Sequence, residues 1–139
     1  MEVNISGFDQ AMDAFDDILS GSGRAVNAAL KDAGLIVSRN TKRAIHKAAD
    51  RGYATGELER SVYSTNAKKN DLGSYVVVKP AGTDSKGVRN GAKWGYLLHG
   101  NGRGSEKRDF KTDAIKASEK DVVETIEKAM NKLVQKLEV

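Results

Sequence analysis

The chain of 139 residues contains no cysteine and one proline. Without cysteine there is no disulfide, no thiol nucleophile and no thiolate metal site, an absence that fits a reducing cytoplasm without proving it. No apolar run approaches the roughly 18 residues that a membrane span needs, and the acidic, glycine-punctuated start does not resemble a signal peptide. No low-complexity tract divides the chain. A soluble, unprocessed single domain over 1–139 is therefore expected, burying roughly 70% of its unfolded surface.

A surplus of one charge is also slight, the formal net charge being +4, which alone says little about nucleic acid. The distribution says more. Residues 1–20 hold Glu2, Asp9, Asp13, Asp16 and Asp17 and no basic residue. The stretch 79–111 reverses this with Lys79, Lys86, Arg89, Lys93, Arg103, Lys107, Arg108 and Lys111 against Asp84, Glu106 and Asp109, with glycines between them. Its part from 79 to 108 reads as a flexible basic loop region.

Hydrophobic spacing sets the expected elements. Val3 and Ile5 alternate with polar neighbours ahead of Ser6-Gly7, as in a short edge strand. Phe8, Met12, Phe15 and Leu19 recur every three or four residues, which predicts a short amphipathic helix with the aspartates mainly between them; strand and helix together make an acidic segment over 1–21. Gly21-Ser22-Gly23 stops it, and Ser22 is placed to cap a second helix. That helix is expected to reach about Ala49, with a thin stripe of Val26, Leu30, Ala33, Val37, Ala44 and Ala48. Gly34 inside it costs about 1 kcal/mol relative to alanine, so a close contact or a bend is expected there.

After the connector 51–56, Glu57 to Arg60 suffices for one helical turn. Val62–Thr65 and Tyr75–Val78 are rich in β-branched and aromatic residues and predict an antiparallel hairpin, with turn chemistry over Asn66–Gly73. Pro80 ends its second strand, and a flexible loop is expected as far as Ala92. Trp94-Gly95-Tyr96-Leu97-Leu98-His99 is a third candidate strand, cut off by the glycines at 100, 102 and 104. Phe110 to Ile115 makes a helical turn, and Ser118 and Asp121 are spaced like a capping box that opens the final helix. Its apolar face is Val122, Ile126, Met130 with Ala129, Leu133 and Leu137. The fold class implied is α+β, an antiparallel sheet of about three to four strands packed against a long helix from the first half and a C-terminal helix.

Catalytic chemistry needs a cluster of groups able to exchange protons, attack or hold metal, and no such spacing occurs. His46 reads as a solvated helix residue and the distant His99 as a turn or interface residue. Asp13, Asp16 and Asp17 lack the loop that would converge oxygens on a hard cation. Gly100-Asn101-Gly102-Arg103-Gly104 lacks the Gly-Lys-Ser/Thr ending of a phosphate-binding loop. Basic and glycine-rich, it could track a nucleic-acid backbone with Trp94 and Tyr96 as stacking rings; both rings as sheet core is the preferred reading. No enzyme activity, cofactor or metal is expected.

The order of parts carries a resemblance. A long helix is followed by Tyr53-Ala54-Thr55-Gly56-Glu57-Leu58-Glu59-Arg60-Ser61-Val62, then by Trp94-Gly95-Tyr96-Leu97-Leu98-His99-Gly100, then by Phe110-Lys111-Thr112-Asp113-Ala114 ahead of a last helix. Over about residues 24–137 this resembles the head-tail joining, or tail-completion, neck family of tailed bacteriophages. Its members carry Thr-Gly-x-Leu-x-x-Ser and a β-branched residue after the long helix, matched by Thr55, Gly56, Leu58, Ser61 and Val62. An aromatic-small-x-x-aliphatic strand is matched by Trp94, Gly95 and Leu98, and a Phe-x-x-x-Ala helix opening by Phe110 and Ala114. His99 stands where an acid is usual, and Gly100-Asn101-Gly102 replaces an aromatic-Gly-Thr ending.

The resemblance implies a non-enzymatic α+β subunit of a ring, commonly a hexamer, set between the portal connector and the tail tube. It places the chain in the virion after assembly in the host cytoplasm, beside other connector and tail proteins. The acidic and basic segments suit a ring contact in which opposite surfaces of neighbours meet. Asp13, Asp16, Asp17, Lys86, Arg89, Arg103, Lys107 and Arg108 are the interface candidates, with residues 79–108 ordering on assembly. The alternatives are contact of the same loop with packaged DNA, or a small basic nucleic-acid-binding module, both marked by steep salt dependence.

Overall fold

The computed structural model describes residues 2–3, 23–48, 56–99 and 109–137, and side chains within 23–48, 56–99 and 109–135. In chain order the elements are β1 (Glu2–Val3), α1 (Gly23–Ala48), α2 (Glu57–Ser61), β2 (Tyr63–Ser64), β3 (Lys68–Asn70), β4 (Gly73–Lys79), α3 (Asn90–His99) and α4 (Phe110–Leu137). The architecture is α+β, an antiparallel sheet with the long helix α1 and the C-terminal helix α4. The helix expected over 8–19 and its Ser22 stop lie outside the described residues.

Burial along α1 follows helical spacing through Val26, Leu30, Ala33, Val37, Thr41 and Ile45. The stripe thus keeps its i, i+4 step where the sequence reading moved it to Ala44 and Ala48, which are only half-buried. Helix α4 runs antiparallel to α1, since Asn40 meets Ser118 while residues 25–32 face 125–135. Val122, Ile126 and Leu133 are buried, and Met130 packs on the cluster that holds Val122 and Ile126; the Leu137 side chain is outside the described residues. The expected start of this helix at Ser118 is corrected. Asp109 is the cap, its Oδ1 accepting from the Thr112 N–H at 3.0 Å and its Oδ2 from the Thr112 hydroxyl at 2.7 Å. Ser118, 1% exposed, instead accepts from Asn40 Nδ2 at 3.0 Å and donates to the Ala114 carbonyl at 2.7 Å. A serine that has both an acceptor one turn back and a donor on the facing helix has no reason to end a helix.

β4 is the sheet's centre, with β1 along one edge and β2 then β3 along the other, all antiparallel to it. The expected hairpin is present, but three residues of its supposed loop, Lys68–Asn70, are β3, and the turn is only Asp71-Leu72. Register slips by one residue between Ser64↔Val78 and Lys68↔Tyr75, so residues 65–67 oppose only 76 and 77 and form a bulge. There the Thr65 hydroxyl accepts from the Val77 N–H at 3.0 Å, in place of a ladder carbonyl. Val76 and Val78 point inward, 1% and 0% exposed. α1 lies against them, and Gly34 makes the approach possible. A Cβ at that position would collide with Ser64 Oγ and sit 3.1 Å from Val76 Cγ2, the close contact expected of a glycine inside a helix.

The third candidate strand is also corrected: Asn90–His99 is helix α3. The run has no β-branched residue, and Trp94, Leu97 and Leu98 fall at i, i+3 and i+4, a helical face that the core covers. Trp94 is core, as preferred, but from a helix; Tyr96, expected beside it, is 57% exposed.

Candidate functional site

Among the described residues that carry the resemblance, Leu58, Val62, Trp94 and Phe110 meet in one cluster, on which Leu98 packs. Thr55 is outside the described residues. Gly56 holds φ 80°, ψ −2° at the start of α2, a left-handed conformation that favours glycine, and its carbonyl accepts from the Arg60 N–H at 3.1 Å. The Ser61 hydroxyl donates to the Leu58 carbonyl at 2.6 Å and closes the single turn. Leu58 and Val62 then enter the central cluster together with Trp94 and Phe110. The indole and the Phe110 ring stand edge to face, centroids 4.8 Å apart and planes at 86°, a favoured aromatic geometry. Ala114, 0% exposed, follows one turn after Phe110. Nothing crowds a Cβ at Gly95, and the structure gives no reason for glycine there.

None of the described motif residues presents a free reactive group to solvent, the Ser61 hydroxyl being bonded to the Leu58 carbonyl. Among the described residues no three of His, Cys, Asp and Glu converge as metal ligands. His46 Nδ1 lies 2.9 Å from Glu59 Oε2 in an exposed pair, and His99 is exposed at the end of α3. No described helix is long and apolar enough to cross a membrane.

The segment 80–89, expected to be flexible, is a knitted turn. Asp84 Oδ1 accepts from the backbone N–H groups of Lys86 and Val88, both at 2.8 Å, while its Oδ2 pairs with the Lys93 ammonium of α3. The Ser85 N–H donates to Glu57 Oε1 at 3.0 Å, tying the turn to α2. Asn90 donates through its backbone to the Gly82 carbonyl at 3.0 Å and through Nδ2 to that of Ala81 at 2.9 Å. An aspartate followed by Ser-Lys-Gly was the available signal, because an Asp side chain bonds N–H groups two and four residues on and Gly87 supplies φ 80°. The Lys93 ammonium, with the N–H of Val88 and then of Lys86, holds the Asp84 carboxyl below its ordinary value.

Lys86 and Arg89 are exposed on this turn, as an interface candidate should be. Asp13, Asp16, Asp17, Arg103, Lys107 and Arg108 lie outside the described residues. One exposed feature has no counterpart in the sequence reading: Leu72, at the tip of the β3–β4 hairpin, is 73% exposed. Its signal was an apolar residue in a turn of otherwise polar type.

Comparison with known proteins returns no match, whether against family models, curated sequences or solved structures.

Proposed function

We propose that this chain is a structural subunit of a tailed bacteriophage or prophage virion, a head-tail joining or tail-completion protein that acts in a ring and carries out no catalysis. The reading rests on the convergence of Leu58, Val62, Trp94 and Phe110 in one cluster, with Gly56, Ser61 and Ala114 setting the backbone around it. These short matches are dispersed over the chain, yet they behave as parts of one packing unit. Residues of that kind preserve a subunit's shape. What remains for function is surface, which is what a ring subunit uses on its neighbours and on adjoining connector and tail proteins.

The nucleic-acid alternative loses one of its two stacking rings, because Trp94 is 8% exposed and packed on Phe110. Of those two candidate rings only Tyr96 is exposed, and one ring does not make a stacking platform of successive bases.

The test is light scattering and negative-stain microscopy of the purified chain over a concentration series, with and without duplex DNA at two salt concentrations. The expected result is a discrete cyclic species at high concentration, indifferent to DNA. A fixed monomer that binds duplex DNA with steep salt dependence would replace the ring with the nucleic-acid module.

A further inference from the structure

Two asparagines of the chain stand directly before glycine, in Asn90-Gly91 and Asn101-Gly102; the second pair lies outside the described residues. A glycine has no side chain to shield its backbone nitrogen and little to restrain its rotation. That nitrogen can attack the amide carbon of the asparagine before it and close a five-membered ring. At Asn90 the fold withholds this reaction without abolishing it. Gly91 is exposed, and nothing lies within 4 Å of where a Cβ would stand. Asn90, by contrast, is 4% exposed and tied twice: its N–H donates to the Gly82 carbonyl at 3.0 Å and its Nδ2 to the Ala81 carbonyl at 2.9 Å. It also opens α3, whose helical backbone keeps the Asn90 amide carbon away from the next nitrogen.

Ring closure therefore requires the 81–90 turn to open. The bonds that hold it are polar and largely exposed: Asp84 with the N–H groups of Lys86 and Val88 and with Lys93, and Glu57 with Ser85. Segments held by exposed hydrogen bonds rather than by apolar burial open at a lower free energy than the core. We propose that Asn90 is a site of spontaneous deamidation gated by opening of this turn, and that its product cannot close the turn again.

In the open turn the Gly91 nitrogen gives its proton to hydroxide and bonds to Asn90 Cγ. The Cγ–Nδ2 bond breaks, and the amide group takes up a proton and leaves as ammonia. Water then adds to the succinimide, and one of its two ring C–N bonds breaks to give an aspartyl or an isoaspartyl residue. No oxidant or cofactor is needed. The product lacks the N–H that Nδ2 gives to the Ala81 carbonyl, so two acceptors would face each other in the closed turn. Its charge would also enter a place where Asn90 Oδ1 is already buried without a hydrogen-bond partner. A buried charge without donors is far costlier than a lost hydrogen bond. The closed turn, which displays Lys86 and Arg89, is thus lost in one direction. The reaction needs no second copy and proceeds whether or not a ring forms.

The purified full chain, kept in mildly alkaline buffer with and without urea, is sampled over time, and conversion at position 90 is followed by peptide mapping with mass spectrometry. Conversion should be at least about 10-fold slower in native buffer than in urea, because only the open fraction of the turn reacts. Asp84→Ala removes the carboxylate that organises the turn. It should raise the native rate about 10-fold and leave the rate in urea unchanged. Lys93→Gln removes only the ion pair, should raise the native rate by a smaller factor, and keeps the test valid if Asp84→Ala does not fold. Equal rates in native buffer and urea, or native rates that ignore both substitutions, would overturn the gating. Asn90→Asp reproduces the product: hydrogen exchange at the Ser85 and Val88 amides should quicken about 10-fold at neutral pH. Unchanged protection there would show that the turn closes over the product and would sink the one-way release.

Discussion

The helix pair α1–α4 and the segment from Ala81 to His99 are joined through Trp94 and Phe110 but held by different forces. In the pair, burial recurs at every helical turn: Leu30, Val37 and Ile45 on one side, Val122, Ile126 and Leu133 on the other. In the segment, up to the start of α3, backbone N–H groups are held by the Asp84 and Glu57 carboxylates and the Ala81 carbonyl by Asn90 Nδ2, and the nearby Val88 is 41% exposed. Apolar packing is spread over many weak contacts and degrades gradually. A turn organised by a few polar side chains depends on a few atom pairs and on the protonation of its carboxylates.

The largest effect should come where the two regions meet. Phe110 is 1% exposed, opens α4 and carries the edge-to-face contact to Trp94 of α3. Phe110→Ala removes a filled volume from the centre of the larger cluster and should cost about 3–5 kcal/mol, read as a lowered midpoint in urea. If the two regions were independent, α3 would keep its native signals in this variant; loss of the Trp94 environment, followed by indole fluorescence, is the expected result.

A smaller change probes the pair's contact with the sheet. In an exposed helix, Gly→Ala gains about 1 kcal/mol. At position 34 the added methyl meets Ser64 Oγ and Val76 Cγ2, so Gly34→Ala should lower stability, by about 1–3 kcal/mol as for other overpacked sites. Removing the hydroxyl with Ser64→Ala should recover part of that loss. Additive losses in the double variant, measured by the same urea titration, would mean that the helix does not approach the sheet this closely.

The division between these regions is also the division between what the sequence makes legible and what it does not. The pair, the β2–β4 hairpin and the purpose of Gly34 were readable because apolar spacing and a misplaced glycine are local signals. The strand expected at Trp94–His99 failed because a short apolar run bounded by glycines fits either period, and only the core contacts of Trp94, Leu97 and Leu98 choose between them. Ser118 reads as a cap in one dimension, since its partner Asn40 is 78 residues away. The candidate surface was the least legible part. Positive charges drew attention to 79–108, whereas the exposure of Leu72 carries no signal until the hairpin exists.

The smallest expected effect concerns the turn alone. Asp84 has an ordinary pKa of 3.8 when unfolded and a lower one when folded, first because of the Lys93 ammonium and then the Val88 N–H. A carboxylate with a depressed folded pKa stabilises the folded state fully above its unfolded value. That contribution is lost as pH falls through the lower, folded value. Asp84→Asn keeps an oxygen for the N–H groups of Lys86 and Val88 but loses the charge facing Lys93. The variant should therefore be less stable than the wild type at neutral pH, by a margin that is constant down to about pH 4 and closes below it. The urea midpoints of the two proteins, compared across this range, give the margin directly. A margin that persisted in strong acid would assign the turn's order to the geometry of the side chain rather than to its charge, and the contrast with the helix pair would then lie in contact number alone.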